Sequence, residues 1–408
     1  MIRWLGPTFM RAGLKGRDLS KRDGREIPET MGAICAVVYL LIIIVFIPFP
    51  FYKDIVAATS GGGNRDVVRE MEMEVESDIV QNGRFLHRFP HSKLASYLSA
   101  VLSLQSVVIL GIGDDLFDIR WRHKFFIPAI ASIPILIVYF VDFGVTQIVI
   151  PIPLQPYLGE LFQLGPLYYI YMAGIAIFCP NSINILAGIN GIEVSQSLVI
   201  ALLLVLNDTL YLLTPYPHPA TDSHLLLYML PFIGVSLALL SHNWYPSRVF
   251  VGDTYCYFAG MVFAICGILG HFSKPCSSSS SPNLQLPLQR PQLFHLIPVP
   301  ATVSPLQRPL QPPEPSITPG PSPQPLQATL LHLLHKLHLL ALTTNKEGLI
   351  IESSNFTLLN LWLVWFGPRR EDRLAVEILC MQGVCGLFGL FVRHRLALLI
   401  FQSDNLTV

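Results

Sequence analysis

Apolar runs recur along this chain at about the length of a bilayer crossing, and that recurrence excludes most soluble folds before any motif is considered. A helix needs about 20 apolar residues to span the hydrocarbon core of a membrane. Runs near that length occupy residues 31–52, 94–112, 125–143, 166–179, 194–213, 224–241, 256–271 and 376–401. The run at 166–179 is short, Leu358–Phe366 is too short to cross alone, and the last run is interrupted by an Arg-His-Arg triplet. Only 13% of the residues are charged, against about 25% in soluble domains. Segments apolar on every side suit helices in lipid, where all backbone polar groups must be satisfied internally. The expected fold is all-α, a polytopic membrane helix bundle of about 8–10 spans. One β-branched, proline-bearing piece after Gly144, "TQIVIPIPL", reads as a short extended segment on the outer face.

The loops between the runs differ in charge. Residues 11–30, "RAGLKGRDLSKRDGREIPET", are rich in Lys and Arg; "RWRHK" is too, and "YPSRVF" adds an arginine. Loops 53–93, 144–165 and 214–223 are not comparably basic, although the first holds several arginines among its acids. The positive-inside rule assigns the basic set to the cytosol. Counting crossings from an inside start gives the same answer: two return the chain to Asp114, two more to Asn181, two more to Asn243. Residues 1–30 lack the apolar core of a signal peptide, so the first run directs insertion. Zero net charge gives no reason to expect nucleic acid as a partner. Cys35, Cys179, Cys256, Cys266, Cys380 and Cys385 lie in or beside apolar segments without a CxxC pair, so they read as small packing residues.

Composition divides the chain into three. Residues 1–274 form a membrane core. Residues 275–345 open on "PCSSSSSPNLQLPLQRPQ" and are dominated by Ser, Pro and Gln, which cannot bury enough apolar surface to fold. This insert is expected to be cytosolic and partly disordered. Within it "ATLLHLLHKLHLLAL" has helical spacing, and its three histidines fit an amphipathic helix better than a metal site. Residues 346–408 carry the last span.

Three polar stretches interrupt this pattern where the chain meets the cytosol. "GDDLFDIRWRHK", Gly113 to Lys124, places Asp114, Asp115 and Asp118 within one helical turn of each other. Carboxylate oxygens suit a hard cation such as Mg²⁺ shared with phosphates; a solvated helix end is the plain alternative. "NSINILAGINGIE" sets Asn181, Asn184 and Gly188 at helical spacing, with Gly188 and Gly191 permitting close backbone approach. Its amides can bind an ion and a polar base, or simply cap turns. "HNWYPSRVFVGDTYCYFAG" brings Asp253 to the start of the next span, and Phe250 can stack on a nucleobase or merely pack.

In that order these stretches resemble the motifs of the polyprenyl-phosphate N-acetylhexosamine-1-phosphate transferases, in detail their eukaryotic branch acting on dolichyl phosphate. "REIPETMG" and "HFSK" support the resemblance, which covers about residues 12–274 closely and 345–400 more loosely. It implies transfer of GlcNAc-1-phosphate from UDP-GlcNAc to dolichyl phosphate, releasing UMP, at the cytosolic face of the endoplasmic reticulum membrane. It implies Mg²⁺ as cofactor, held by Asn184 and Asp253, and tunicamycin as inhibitor. Asp114 and Asp115 match the acidic pair, Asp118 completes its DDxxD form, and Lys124 matches the lysine on phosphate. Gly188, Asn190 and Phe250 match positions around the uridine, Asn181 joins them as substrate-binding, and Glu29 matches the carboxylate near the sugar. Direct in-line attack on the β-phosphorus is expected, with an aspartyl-phosphate route as its rival. A homodimer is left open. A bacterial-type polyprenyl-phosphate transferase and a non-catalytic transporter or scaffold are the alternatives; acids gathered on one face favour the enzyme over a transporter.

The resemblance lapses at "KPCSSSSSP" and at "ATVSP", where the family continues an apolar helix and then an Arg-His-Arg element, and it implies one more span before "MIRWLGPTF". A one-base shift in reading frame at each point would account for both substitutions. The expectation is a recognisable core with weakened activity.

Overall fold

The computed structural model describes residues 1–18, 25–52, 55–56, 90–117, 119–142, 144, 146–149, 153, 155–159, 161–212, 224–272, 332–339, 341–344, 350–353 and 358–396. Asp118, most of loop 53–93, the Ser/Pro/Gln-rich tract through residue 331 and the stretch beyond 396 lie outside the described residues.

The described residues form a helix bundle with three two-stranded ribbons. Helix α1 (Ile2–Arg11) leads into strands β1 (Lys15–Arg17) and β2 (Glu26–Pro28), paired antiparallel with Gly16 opposite Ile27. Helices α2 (Met31–Val45) and α3 (His91–Phe117) follow. A single turn, α4 (Trp121–Lys124), opens a stepped apolar segment continued by α5 (Ile127–Ala131) and α6 (Ile133–Asp142). Strands β3 (Gln147–Val149) and β4 (Leu161–Gln163) pair around the one-turn α7 (Gln155–Leu158), so the extended piece after Gly144 is present as a hairpin strand. The long helices α8 (Pro166–Ile185), α9 (Ile192–Leu212), α10 (His224–Asn243) and α11 (Asp253–Phe272) come next. Ribbon β5–β6 (Leu342–Thr344, Ile350–Ser353), the nine-residue α12 (Leu358–Phe366) and α13 (Glu371–Phe391) complete the described chain. The Arg-His-Arg triplet forms a π-helical turn, Val392–Leu396, that extends α13.

Helix α11 is the axis of the bundle. Every residue from Tyr255 to Ile265 is buried, which requires helix neighbours on all sides. It packs on α8, α3, α2 and α10. Aromatic edges fill the centre: Tyr39 and Phe258 lie 4.9 Å apart, and Phe232 and Phe263 5.3 Å apart. Two buried hydroxyls of this layer find acceptors, Tyr97 on the Ile43 carbonyl at 2.7 Å and Tyr255 on Ser236 at 2.9 Å, as burial of a phenol favours. Polarity is reversed on the outside. Leu41, Ile109, Ile137, Phe140, Ile170, Leu202 and Phe388 are exposed, an apolar belt that water would penalise and lipid tails accept. Among the described residues, His91–Phe117, Arg122–Asp142, Ile192–Leu210 and Glu371–Arg395 are long and apolar enough to cross a membrane. Met31–Val45, Leu227–Asn243 and Asp253–Leu269 are shorter apolar helices. The chain is a multi-pass membrane protein.

At two of the polar motifs the helix runs past its expected end. The run expected to stop at Ile112 continues to Phe117, so Asp114 and Asp115 belong to the last turn of α3. The run expected to stop at Cys179 continues through Pro180 to Ile185. Hydropathy falls there, but backbone geometry does not. Asn181 and Ser182 fold their side chains back onto the carbonyls of Ile177 and Phe178, at 2.7 and 2.6 Å. Both polar groups are thereby satisfied inside the helix.

A tight helix crossing lies at that proline. Gly260 of α11 faces the backbone of Cys179 and Pro180, which a Cβ would strike. Gly234 of α10 has open space around its missing Cβ. Gly260→Val should therefore push α8 off α11 and cost about 3 kcal/mol or more, the upper range of overpacking. Gly234→Ala should be neutral or slightly stabilising. Thermal unfolding of the detergent-solubilised variants checks the pair.

Candidate active site

Four chain segments separated in sequence meet at one end of the bundle. The junction begins with Asp115 near the C-terminus of α3. Its Oδ1 accepts the backbone N–H of Asp253 at 2.8 Å; its Oδ2 accepts the Thr254 N–H at 3.3 Å and the Thr254 hydroxyl at 2.6 Å. The first N–H groups of a helix have no partner within it. Asp115 supplies that partner from another helix, and the N-terminal partial positive charge of α11 favours its carboxylate. Gly252 makes the approach feasible. It turns with φ +81°, and a Cβ there would lie 2.8 Å from both Asp115 Oδ2 and Thr30 Cα.

The cap aims Asp253, the first residue of α11, at Lys124. The ammonium lies 2.7 Å from Asp253 Oδ2 and 3.3 Å from Asp114 Oδ2. Asp114 is buried, and its Oδ1 accepts the Ile119 N–H at 3.1 Å, closing the chain over the end of α3. A buried carboxylate requires such compensation. Asn181 contributes from α8: its amide reaches the carbonyl of Phe125, next to Lys124, at 3.4 Å. That amide is committed to main-chain oxygens, and Asn181 is not among the residues lining the cleft described below.

Opposite Asp253, residues 28–32 run beside 250–251. The Phe250 N–H bonds the Pro28 carbonyl at 2.8 Å and the Gly32 N–H bonds the Val251 carbonyl at 2.8 Å. This pairing fixes Phe250 with its ring over Gly16 of the β1–β2 ribbon, where a Cβ would lie 2.8 Å from the ring. Glu29 is half-buried on the same seam. Burial, and then the nearby Asp253 charge, push its carboxyl above the usual range.

These elements enclose a cleft of about 320 Å³. Six of the expected residues line it: Glu29, Asn184, Gly188, Asn190, Phe250 and Asp253. Gly188 does so from a loop, because α8 ends at Ile185 and the helical spacing expected through Gly188 does not persist. Asp114, Asp115 and Lys124 do not line the cleft and connect to it through Asp253; Asp118 lies outside the described residues. The cleft also contains Arg17, Asp18, Glu193, Asn243 and Glu371, none of them anticipated as site residues. Arg17 and Asp18 stood in a loop whose charges served as a topology signal. Glu371 lies in "PRREDR", which resembles a solvated surface run in sequence.

The oxygen chemistry suits a divalent cation. Asn184 Oδ1 and the second oxygen of Asp253 make no hydrogen bond among the described residues, and both side chains line the cleft. No three His, Cys, Asp or Glu side chains among the described residues converge as a metal cage. Mg²⁺ commonly takes one or two protein ligands and completes its shell with phosphate oxygens and water, so two donors beside an open cleft fit it.

Residues 97–271 match the glycosyl transferase family 4 profile. A UDP-N-acetylglucosamine–dolichyl-phosphate N-acetylglucosaminephosphotransferase of Saccharomyces cerevisiae is 49% identical over 414 residues, covering 100% of this chain and 90% of its own. Its namesake in Schizosaccharomyces pombe is 45% identical over 98% of this chain and 90% of its own. The Dictyostelium discoideum namesake is 35% identical over 94% and 82%.

Two outcomes are expected at this junction. Asp115→Ala should cost about 1–2 kcal/mol of stability, as loss of a helix cap does, and should lower activity by releasing Asp253; Asp115→Asn, which keeps one acceptor, should lose less of both. Detergent melting curves and turnover measured side by side test this. Glu29 binds its proton more tightly folded than unfolded, so it costs stability once the pH exceeds the carboxyl's unfolded value near about 4.3. Glu29→Gln should raise Tm at pH 7 and leave it unchanged below about pH 4.

Proposed function

This chain belongs to the UDP-N-acetylglucosamine–dolichyl-phosphate N-acetylglucosaminephosphotransferase family, and we propose that it transfers GlcNAc-1-phosphate from UDP-GlcNAc to dolichyl phosphate, releasing UMP. The observation that carries the proposal is the Asp115–Asp253–Lys124 junction, which sets a lysine and a carboxylate beside a polar cleft at the end of a lipid-facing bundle. A water-soluble nucleotide sugar and a membrane-bound phosphate can meet only at such a boundary.

In the reaction an oxygen of dolichyl phosphate attacks the β-phosphorus of the donor. The bond between that phosphorus and the bridging oxygen breaks, and UMP departs with the electron pair. A phosphate monoester is largely ionised near pH 7, its second pKa being about 6, so the nucleophile needs no strong base. Catalysis is then mainly alignment and charge neutralisation. Asn184 and Asp253 would hold Mg²⁺, which would neutralise the diphosphate as UMP leaves. Lys124, joined to the cleft through Asp253, keeps a positive charge there that would attract phosphate oxygens. Asp114 holds Lys124 in place. The Phe250 ring offers a stacking face for uracil, Gly188 lets the backbone come close, and the Asn190 amide can read polar edges. Glu29 faces the cleft as a neighbour of the sugar.

The same contacts weigh against an aspartyl-phosphate route through the acidic pair, Asp114 and Asp115. Both Asp115 oxygens are engaged at the start of α11, and Asp114 is buried against Lys124 and the Ile119 N–H. Neither is an available nucleophile. Arg17, Asp18 and Glu29 of the basic loop line the cleft and Lys124 of the "RWRHK" turn pairs with Asp253, which supports a cytosolic site in the endoplasmic reticulum membrane.

UMP release by purified protein should require both UDP-GlcNAc and dolichyl phosphate, cease in EDTA and return with Mg²⁺. Asp253→Ala should reduce turnover by about a hundredfold or more while the protein still inserts and folds. Near-normal turnover in that variant, or UMP release without acceptor, would rule out the scheme. Single cysteines at positions 122, 184 and 253 should react with a membrane-impermeant reagent only from the cytosolic side.

A further inference from the structure

The loop between α8 and α9 brings Gly188 and Asn190 to the cleft without regular structure of its own, so its shape depends on neighbours. The backbone N–H of Asn190 donates to Glu371 Oε1, and its side-chain amide donates to Asp18 Oδ2 at 3.1 Å. Asp18, Asn190 and Glu371 are 5%, 7% and 8% exposed, so these bonds are shielded from water and an unpaired N–H there would be costly. On either side, Ile189 and Ile192 enter an apolar cluster with Leu363 of α12 and Leu374 and Ile378 of α13. Gly191 turns with φ +83° beneath Trp244, whose ring is 3.1 Å from where a Cβ would be.

Glu371 is well placed for this contact. It occupies the first turn of α13, where the helix N-terminus favours a carboxylate. The preceding Arg370 lies 5.5 Å above the Tyr245 ring, tying the start of α13 to the segment that holds Trp244. An element remote in sequence thus clamps the loop at its backbone.

We propose that Glu371 is a positioning residue for the nucleoside half of the donor: by holding the Asn190 backbone it sets the loop against which UDP binds, so that α13 tunes donor affinity. The proposal rests on the reading that this cleft takes UDP-GlcNAc. Glu371 touches no reacting atom in the scheme, so its effect falls on donor binding rather than on the chemical step.

The test is steady-state kinetics of the full-length purified protein with UDP-GlcNAc and dolichyl phosphate, paired with calorimetric titration of UDP. Glu371→Ala and Glu371→Asp, which remove or withdraw the acceptor oxygen, should raise the donor KM by about tenfold or more. The turnover number and the KM for dolichyl phosphate should stay within about threefold. Glu371→Gln keeps an acceptor oxygen and should remain within about threefold of the parent donor KM. Asp372→Ala, which alters an exposed pair with Arg370, should change none of these values. UDP affinity should fall in parallel with the KM increase. If Glu371→Ala does not purify as a folded protein, the Asp and Gln variants decide, and equal donor KM values in those two overturn the proposal. An unchanged donor KM in every variant, or a loss confined to the turnover number, also overturns it. A parent protein that releases no UMP from UDP-GlcNAc defeats the donor reading itself, and the proposal with it.

Discussion

The start of α11 anchors both the core and the cleft. A helix buried on all sides leaves the N–H groups of its first turn without solvent, and these groups must find acceptors elsewhere in the protein. Asp115 provides them from α3, using both carboxylate oxygens on the Asp253 and Thr254 backbone and the Thr254 hydroxyl. That demand fixes the relative height of α3 and α11. It also determines where Asp253 points and requires glycine at position 252. The cap that stabilises the fold is therefore the same contact that aims the central carboxylate of the site.

Charge compensation extends outward from that point. Lys124 stands between Asp114 and Asp253, two carboxylates that would repel each other in a low-dielectric setting without a cation between them. Removing the lysine would leave two unbalanced charges, and an entering phosphate would meet repulsion instead of attraction. The pair flanking Lys124 thus has a structural reason to exist. The same economy holds at Asn181, whose amide secures α8 to the segment after Lys124 while lying outside the cleft.

The division between lipid and water gives the site its position. Aliphatic and aromatic side chains cover the flanks of the bundle, and the polar residues gather where α3, α8 and α10 end and α11 begins. Charged groups are costly within the hydrocarbon but much cheaper at its edge. A phosphate carried on a lipid arrives at that edge with its chain still in the membrane. The nucleotide sugar arrives from water.

How much of this was legible in the sequence depends on the range of the interaction involved. Apolar runs of bilayer length, basic loops and the three polar stretches are local patterns, so the all-α membrane class and residues such as Asn184, Phe250 and Asp253 could be read directly. Helix ends were less legible, because hydropathy falls at Ile112 and Cys179 while side chains folding back onto carbonyls carry α8 onward through Pro180. Local spacing also extended α8 through Gly188, where the chain in fact leaves the helix to meet Trp244 and the α12–α13 cluster. By itself, the sequence determined that the chain is a lipid-embedded bundle with its polar chemistry at segment ends. Only the tertiary structure decided that Asp115 caps another helix, that Lys124 bridges two carboxylates, and that Asp18 and Glu371 clasp Asn190 from opposite parts of the chain. Those choices join residues more than a hundred positions apart; they depend on which helix ends come together, and no local spacing encodes that.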